Sequence, residues 1–106
     1  SLGKKKIILG DMLELGKHSK KLHEKLATVI NSSTIDNVHV YGRNIKHTFK
    51  KIIQKKKGLI LRDKNEIISL IKNNIKNNDY LMIKGSNSTG LHSLASSLKK
   101  GNLHAL

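Results

Sequence analysis

Short apolar runs alternate along this chain with longer stretches in which apolar residues recur every three or four positions. The runs are Lys6-Ile7-Ile8-Leu9-Gly10, Val38-His39-Val40-Tyr41-Gly42, Gly58-Leu59-Ile60-Leu61 and Tyr80-Leu81-Met82-Ile83. Brief continuous apolar runs bounded by glycine or charge predict strands covered on both faces, whereas three-to-four spacing predicts helices packed along one stripe. Leu22, Leu26, Val29 and Ile30 form the first stripe, with Ser19 as a candidate N-cap. Ile45, Phe49, Ile52 and Ile53 form the second, and Ile67, Ile71 and Ile75 the third, opened by Asp63 and Glu66 in capping-box spacing. Leu91, Leu94, Ala95 and Leu98 define a last helix. Strand and helix in strict alternation, joined by right-handed crossovers, predict an α/β, three-layer Rossmann-like domain with a mostly parallel sheet and helices on both faces.

Length and composition narrow this further. The 106 residues are read as one domain spanning 1–106, with no proline, low-complexity linker or internal boundary. The hydrophobic share of 37% is lean, but its periodic placement favours a folded domain over a disordered tail. Without cysteine, disulfides and thiolate metal sites are excluded. No apolar run approaches the roughly 20 residues of a membrane span, and the opening lacks the apolar stretch of a secretory signal, so a cytoplasmic location is expected. The charge of +14, from 21 Lys plus Arg against 7 Asp plus Glu, would favour polyanions. Lysines occur in nearly every segment, however, and one phenylalanine with two tyrosines is poor provision for base stacking. A solvated, lysine-rich surface is the plainer reading.

Ligands of open α/β sheets gather beyond the carboxyl ends of the strands. The segments there are Gly10-Asp11-Met12, Gly42-Arg43-Asn44, Arg62-Asp63 and Lys84-Gly85-Ser86-Asn87-Ser88. None matches a glycine-rich loop ending in Gly-Lys-Ser/Thr, and no Gly-x-Gly-x-x-Gly follows a strand. The six histidines show no metal-ligand spacing, and no Ser/His/Asp arrangement can be assigned, so the domain does not read as a complete enzyme. Gly10 permits a sharp turn after the first strand, and Asp11 then places a carboxylate either toward a ligand or onto its own turn. Glu14 reads as an ordinary loop charge. Arg43 and Asn44 can cap the second helix or touch a ligand, and capping fits their position better. Lys84 can meet a ligand or simply extend from a strand end into solvent.

Gly10-Asp11-Met12-Leu13-Glu14-Leu15-Gly16, then Ser19, then Leu22-His23-Glu24, resembles the start of the C-terminal domain of the Mur ligases. Ile83-Lys84-Gly85-Ser86-Asn87-Ser88 is similar to that family's Lys-Gly-Ser-x-Ser segment. Two motifs in the right order at opposite ends make the resemblance specific, and it covers nearly the whole chain. Its first motif favours the branch that adds D-Ala-D-Ala, a sister enzyme with another amino substrate being the alternative within the family. Asn87 stands where the family commonly has Arg, and Leu26-Ala27 where it has Val-Gly. The family's central ATPase and N-terminal domains are missing from these 106 residues, so the chain reads as an excised or separately expressed domain, with Ser1-Leu2 a candidate cloning remnant.

The resemblance implies a ligase of peptidoglycan synthesis that uses ATP and Mg2+ to activate a carboxylate of UDP-MurNAc-tripeptide, which the amine of D-Ala-D-Ala then attacks. It implies that this domain closes over the ATPase domain, orienting reactants and excluding water. By position, Ser88, Ser86 and Lys84 fall to the incoming dipeptide, with Ser88 on its carboxylate, while Asp11, Arg43 and Asn44 face the nucleotide cleft. Ser88 near a helix N-terminus suits an anion, and suits a plain N-cap equally. His23 reads as a partly buried structural histidine. No catalytic residue is assigned, no metal site is expected, and the domain alone should be inactive. Two readings from other classes remain: a stand-alone α/β module for a nucleotide, and a basic nucleic-acid binder. The first lacks the acidic cluster of a receiver domain; the second depends on whether the lysines form one contiguous face.

Overall fold

In the computed structural model, residues 3–12 and 19–85 are described, together with the backbone of 103–105. The elements are β1 (Lys5–Gly10), α1 (Ser19–Asn31), β2 (Asn37–Tyr41), α2 (Lys46–Lys51), a 3-10 turn (Gln54–Lys56), β3 (Lys57–Leu61), α3 (Lys64–Asn74), β4 (Tyr80–Lys84) and β5 (Leu103–Ala105). The five strands form one sheet in the order β3-β2-β1-β4-β5, and every pairing is parallel. The expected α/β sheet is therefore present, with β5 added beyond the four strands legible in the sequence. The helix expected around Leu91 to Leu98 lies outside the described residues.

β1 sits at the centre, paired Leu9↔Val40 on one side and Leu9↔Lys84 on the other. Alternation along a strand sends side chains to opposite faces. Ile7 and Leu9 accordingly join Val38 and Val40 beneath α1 and α2, with Ala27, Ile30, Ile45 and Ile52. Ile8 turns the other way, joining Leu81, Ile83 and Leu61 beneath Ile67 and Leu70 of α3. Helices thus cover both faces, which is why β1, β2 and β4 read as unbroken apolar runs. Burial of a side chain such as Ile8, at 0% exposure, contributes about 1.5–3 kcal/mol.

Three local expectations are corrected. The buried face of α1 consists of His23, Ala27 and Ile30, while Leu22 is 41% and Val29 67% exposed. The stripe is turned because His23 and Ala27 let α1 approach β1 and α2 closely: the Thr48 hydroxyl donates to the His23 carbonyl. In the second stripe, α2 stops at Lys51, so Ile52 is buried but Ile53 is extended and 38% exposed. The capping box on α3 is half formed. Asp63 Oδ1 accepts from Glu66 N at 2.8 Å, but Glu66 reaches Arg62 N, Nε and Nη2 rather than the cap's own N–H. The Arg62 fork holds the Glu66 carboxyl below the usual carboxylate range.

Two aspartates fix the start of β1. Lys5 N donates to Asp36 Oδ2 while Asp36 N donates to Lys5 O, and Lys4 N donates to Asp79 Oδ1 while Tyr80 N donates to Lys4 O. Backbone N–H groups of Lys76 and Lys4 hold the buried Asp79 carboxyl below its ordinary range. On the edge, the ladder between β2 and β3 slips between Val38 and Val40, so Gly58 and Leu59 together oppose His39. This is a β-bulge. Leu59 N donates to His39 Nδ1 at 3.0 Å, and a Cβ on Gly58 would lie 2.4 Å from that nitrogen. Only glycine fits there.

Candidate functional site

Strand order changes direction beside β1: the chain leaves β1 for β2 and β3 on one side, then returns to β4 on the other. A crevice opens at such a switch point beyond the carboxyl ends of the strands. Its described rim comprises Gly10-Asp11-Met12 after β1, Gly42-Arg43-Asn44 after β2, and Lys84-Gly85 at the end of β4. The pairings Gly10↔Tyr41 and Leu9↔Lys84 make these three segments neighbours.

Asp11 is held from two directions. Its Oδ1 accepts from Ile45 N at 2.7 Å, satisfying a backbone donor at the start of α2 across 34 residues of sequence. Gly42, at φ +134°, lies so close that a Cβ there would be 2.5 Å from Asp11 Oδ1. Glycine is needed both for that backbone conformation and for the carboxylate's approach. Asp11 is therefore neither a self-bonded turn residue nor a side chain wholly turned outward. One oxygen fastens β1 to α2, and among the described residues no bond is made to Oδ2. Fixing one oxygen orients the other without side-chain freedom.

The next residue is fastened too. Met12 N donates to His23 Nε2 at 3.2 Å, while His23 Nδ1 lies 2.7 Å from Ser19 O. A ring that accepts at Nε2 and donates at Nδ1 carries its proton on Nδ1. At 1% exposure His23 is fully rather than partly buried, and its role is structural: it anchors the turn that carries Asp11. The Ser19 hydroxyl also lies 3.2 Å from His23 Nδ1.

Arg43 is exposed and Asn44 partly buried. Ile45 is the N-cap residue of α2 and its own side chain makes no cap bond; among the described residues neither Arg43 nor Asn44 gives α2 a side-chain cap, and the Asn44 carbonyl accepts from His47 N at 3.0 Å. The capping oxygen comes from Asp11 instead. Lys84 is exposed at the end of β4 beside a half-buried Gly85. Glu14, Ser86, Asn87 and Ser88 lie outside the described residues. The structure thus brings together Asp11, Gly42, Arg43, Asn44 and Lys84 on one rim. Gly42 and His23 carry the rim's geometry; a strand-end glycine and a histidine four residues into a helix were the sequence signals for them.

An α/β domain with its polar loops gathered at a switch-point rim is the class defined so far, and the comparisons place it. The chain belongs to the family described as Mur ligase, glutamate ligase domain, which matches residues 1–87. It is 30% identical over 99 residues to UDP-N-acetylmuramoyl-tripeptide--D-alanyl-D-alanine ligase of Bacillus subtilis, covering 91% of this chain and 22% of that protein. The enzyme of the same name from Rickettsia prowazekii is 30% identical over 84 residues, covering 79% of this chain and 19% of that protein. Among solved structures, MurF ligase from Thermotoga maritima in complex with ADP matches at a TM-score of 0.69 and 28% identity, over 89% of this chain and 21% of that one. The chain spans about a fifth of the length of the relatives it matches.

Proposed function

We propose that this chain is the C-terminal domain of an ATP-dependent ligase that joins D-Ala-D-Ala to UDP-MurNAc-tripeptide in the cytoplasm. The observation that carries the reading is the match along 91% of the chain to a ligase of that name, coupled to a rim whose Asp11 turn is fastened at two points. In the reaction, a carboxylate takes a phosphoryl group from ATP, releasing ADP. The dipeptide amine then forms the C–N bond as the acyl C–O bond breaks and phosphate leaves.

The domain's share is orientation rather than bond-making. Asp11, with Arg43 and Asn44 beside it, faces the nucleotide. Lys84, Ser86 and Ser88 receive the dipeptide, Ser88 by hydrogen bonding to its carboxylate. Mg2+ enters this reading with ATP. Among the described residues no three His, Asp or Glu side chains converge to hold it, so its ligands would come from the nucleotide and the rest of a longer protein.

The test is the complete reading frame and its product. A Gly-Lys-Thr/Ser phosphate loop upstream, with ADP release that requires both UDP-MurNAc-tripeptide and D-Ala-D-Ala, is expected. A full-length product that turns over ATP with another amino substrate in preference to D-Ala-D-Ala would move the assignment to a sister ligase.

A further inference from the structure

Across the described stretch 19–85, the positive charge is concentrated on the layer of α1 and α2. Residues 19–57, which supply α1, α2 and the 3-10 turn, hold ten Lys and Arg against two acids, Glu24 and Asp36. Eight of the ten are exposed. Residues 58–85, which supply α3 on the opposite face, hold five against three. Lys21, Lys25 and Lys51 line one open groove of about 440 Å3 between α1 and α2, around the single carboxylate of Glu24, which pairs loosely with Lys51 at 3.8 Å. A lysine-rich background composition would load both faces alike. It does not account for this asymmetry.

The same helix exposes hydrocarbon. Leu22, Lys25 and Val29 follow one another at helical spacing along α1, and Leu22 and Val29 are 41% and 67% exposed. Lysine ammonium groups flanking exposed aliphatic side chains on a surface helix suit a partner with negative charge outside and hydrocarbon beneath. Base readout would favour Arg forks and stacking aromatics. Within residues 19–57 the single arginine, Arg43, and the single phenylalanine, Phe49, the latter half-buried with Lys57 Nζ 5.2 Å from its ring, supply neither. No helix among the described residues is long and apolar enough to cross a membrane, so any contact would be peripheral.

We propose that the α1–α2 face is a docking surface for an anionic lipid bilayer, with Leu22 and Val29 entering the headgroup boundary and Lys21, Lys25 and Lys51 pairing with acidic headgroups. This stands apart from the ligase reading, and either can fail without the other. Co-sedimentation of the purified chain with phosphatidylcholine vesicles, with and without phosphatidylglycerol, tests it. Binding is expected only to the anionic vesicles, weakening with salt. Lys21→Glu/Lys25→Glu should lower vesicle affinity about tenfold or more, while Lys64→Glu/Lys72→Glu, the same charge change on α3, should have little effect. Leu22→Ser/Val29→Ser should weaken binding several-fold at unchanged charge, with circular dichroism confirming that each variant folds. Equal losses from the α1 and α3 pairs would overturn the proposal, as would no effect of the serine pair or equal affinity for a DNA duplex, since these mark an unselective polycation.

Discussion

His39 makes the stability of this domain sensitive to mild acid in a way that can be isolated. The residue is 7% exposed, its Nδ1 accepts from Leu59 N, and its Nε2 has no partner among the described residues. A proton on Nδ1 would face the Leu59 N–H and break the hydrogen bond that joins His39 to the bulge, in a setting already made positive by Lys6. Burial first, then Lys6, lowers the His39 pKa from 6.5 to about 4. Because the unfolded chain protonates near the ordinary value, it binds more protons than the fold between these limits. His39 therefore opposes folding increasingly as pH falls from about 6.5 toward 4, and is neutral above that window. At about pH 4.5 the loss works out at roughly 2.5 kcal/mol, from 1.36 kcal/mol per unit, against typical stabilities of about 5–15 kcal/mol. His39→Asn keeps an acceptor for Leu59 N and removes the titration. Urea unfolding followed by circular dichroism should show wild type losing about 2.5 kcal/mol more than His39→Asn between about pH 7.5 and 4.5. Parallel pH profiles for the two proteins would refute the reasoning.

The other predictions concern the rim and its supports. Gly42→Ala should cost about 1–3 kcal/mol by thermal or urea unfolding, since it strains the backbone and crowds the Asp11 carboxylate. Gly58→Ala should cost a similar amount, because its Cβ would collide with the His39 ring; a melting temperature unchanged from wild type would contradict the bulge geometry. Asp11→Ala should destabilise by about 1–2 kcal/mol through loss of the acceptor for Ile45 N, whereas Asp11→Asn, which keeps an oxygen, should stay close to wild type in stability. The isolated 106-residue chain should neither hydrolyse ATP nor form the amide bond, and calorimetry should find no micromolar binding of ATP or D-Ala-D-Ala.

How far the sequence could be read differs from element to element. β1, β2 and β4 were legible because strands covered on both faces show as continuous apolar runs. β5 was not: Leu103–Ala105 is three residues long and is defined by its pairing with Leu81–Ile83, not by a local pattern. The first helix is legible in the sequence but its buried face is not, since hydropathy ranks Leu22 and Val29 above His23 and Ala27. Close helix packing rewards the small Ala27 and the satisfied His23 instead. The rim was located by its glycines and its strand-end positions. Its chemistry was only partly legible, because the partner of Asp11 is a backbone N–H 34 residues away, and nothing local to Asp11 announces it. The uneven charge is illegible for a related reason: lysines spread along the sequence become a face only when α1 and α2 pack side by side.

The central claim is that this domain orients D-Ala-D-Ala for a ligase, and steady-state kinetics of the full-length Ser88→Ala enzyme tests it most directly. Loss of one hydrogen bond to the dipeptide carboxylate, worth about 1.5–3 kcal/mol, predicts a roughly ten- to hundred-fold rise in KM for D-Ala-D-Ala with a much smaller change for ATP. Asp11→Asn should show the opposite emphasis, lowering kcat with little effect on the dipeptide KM. Wild-type kinetics in the folded Ser88→Ala enzyme, or equal losses for ATP and dipeptide, would contradict the account.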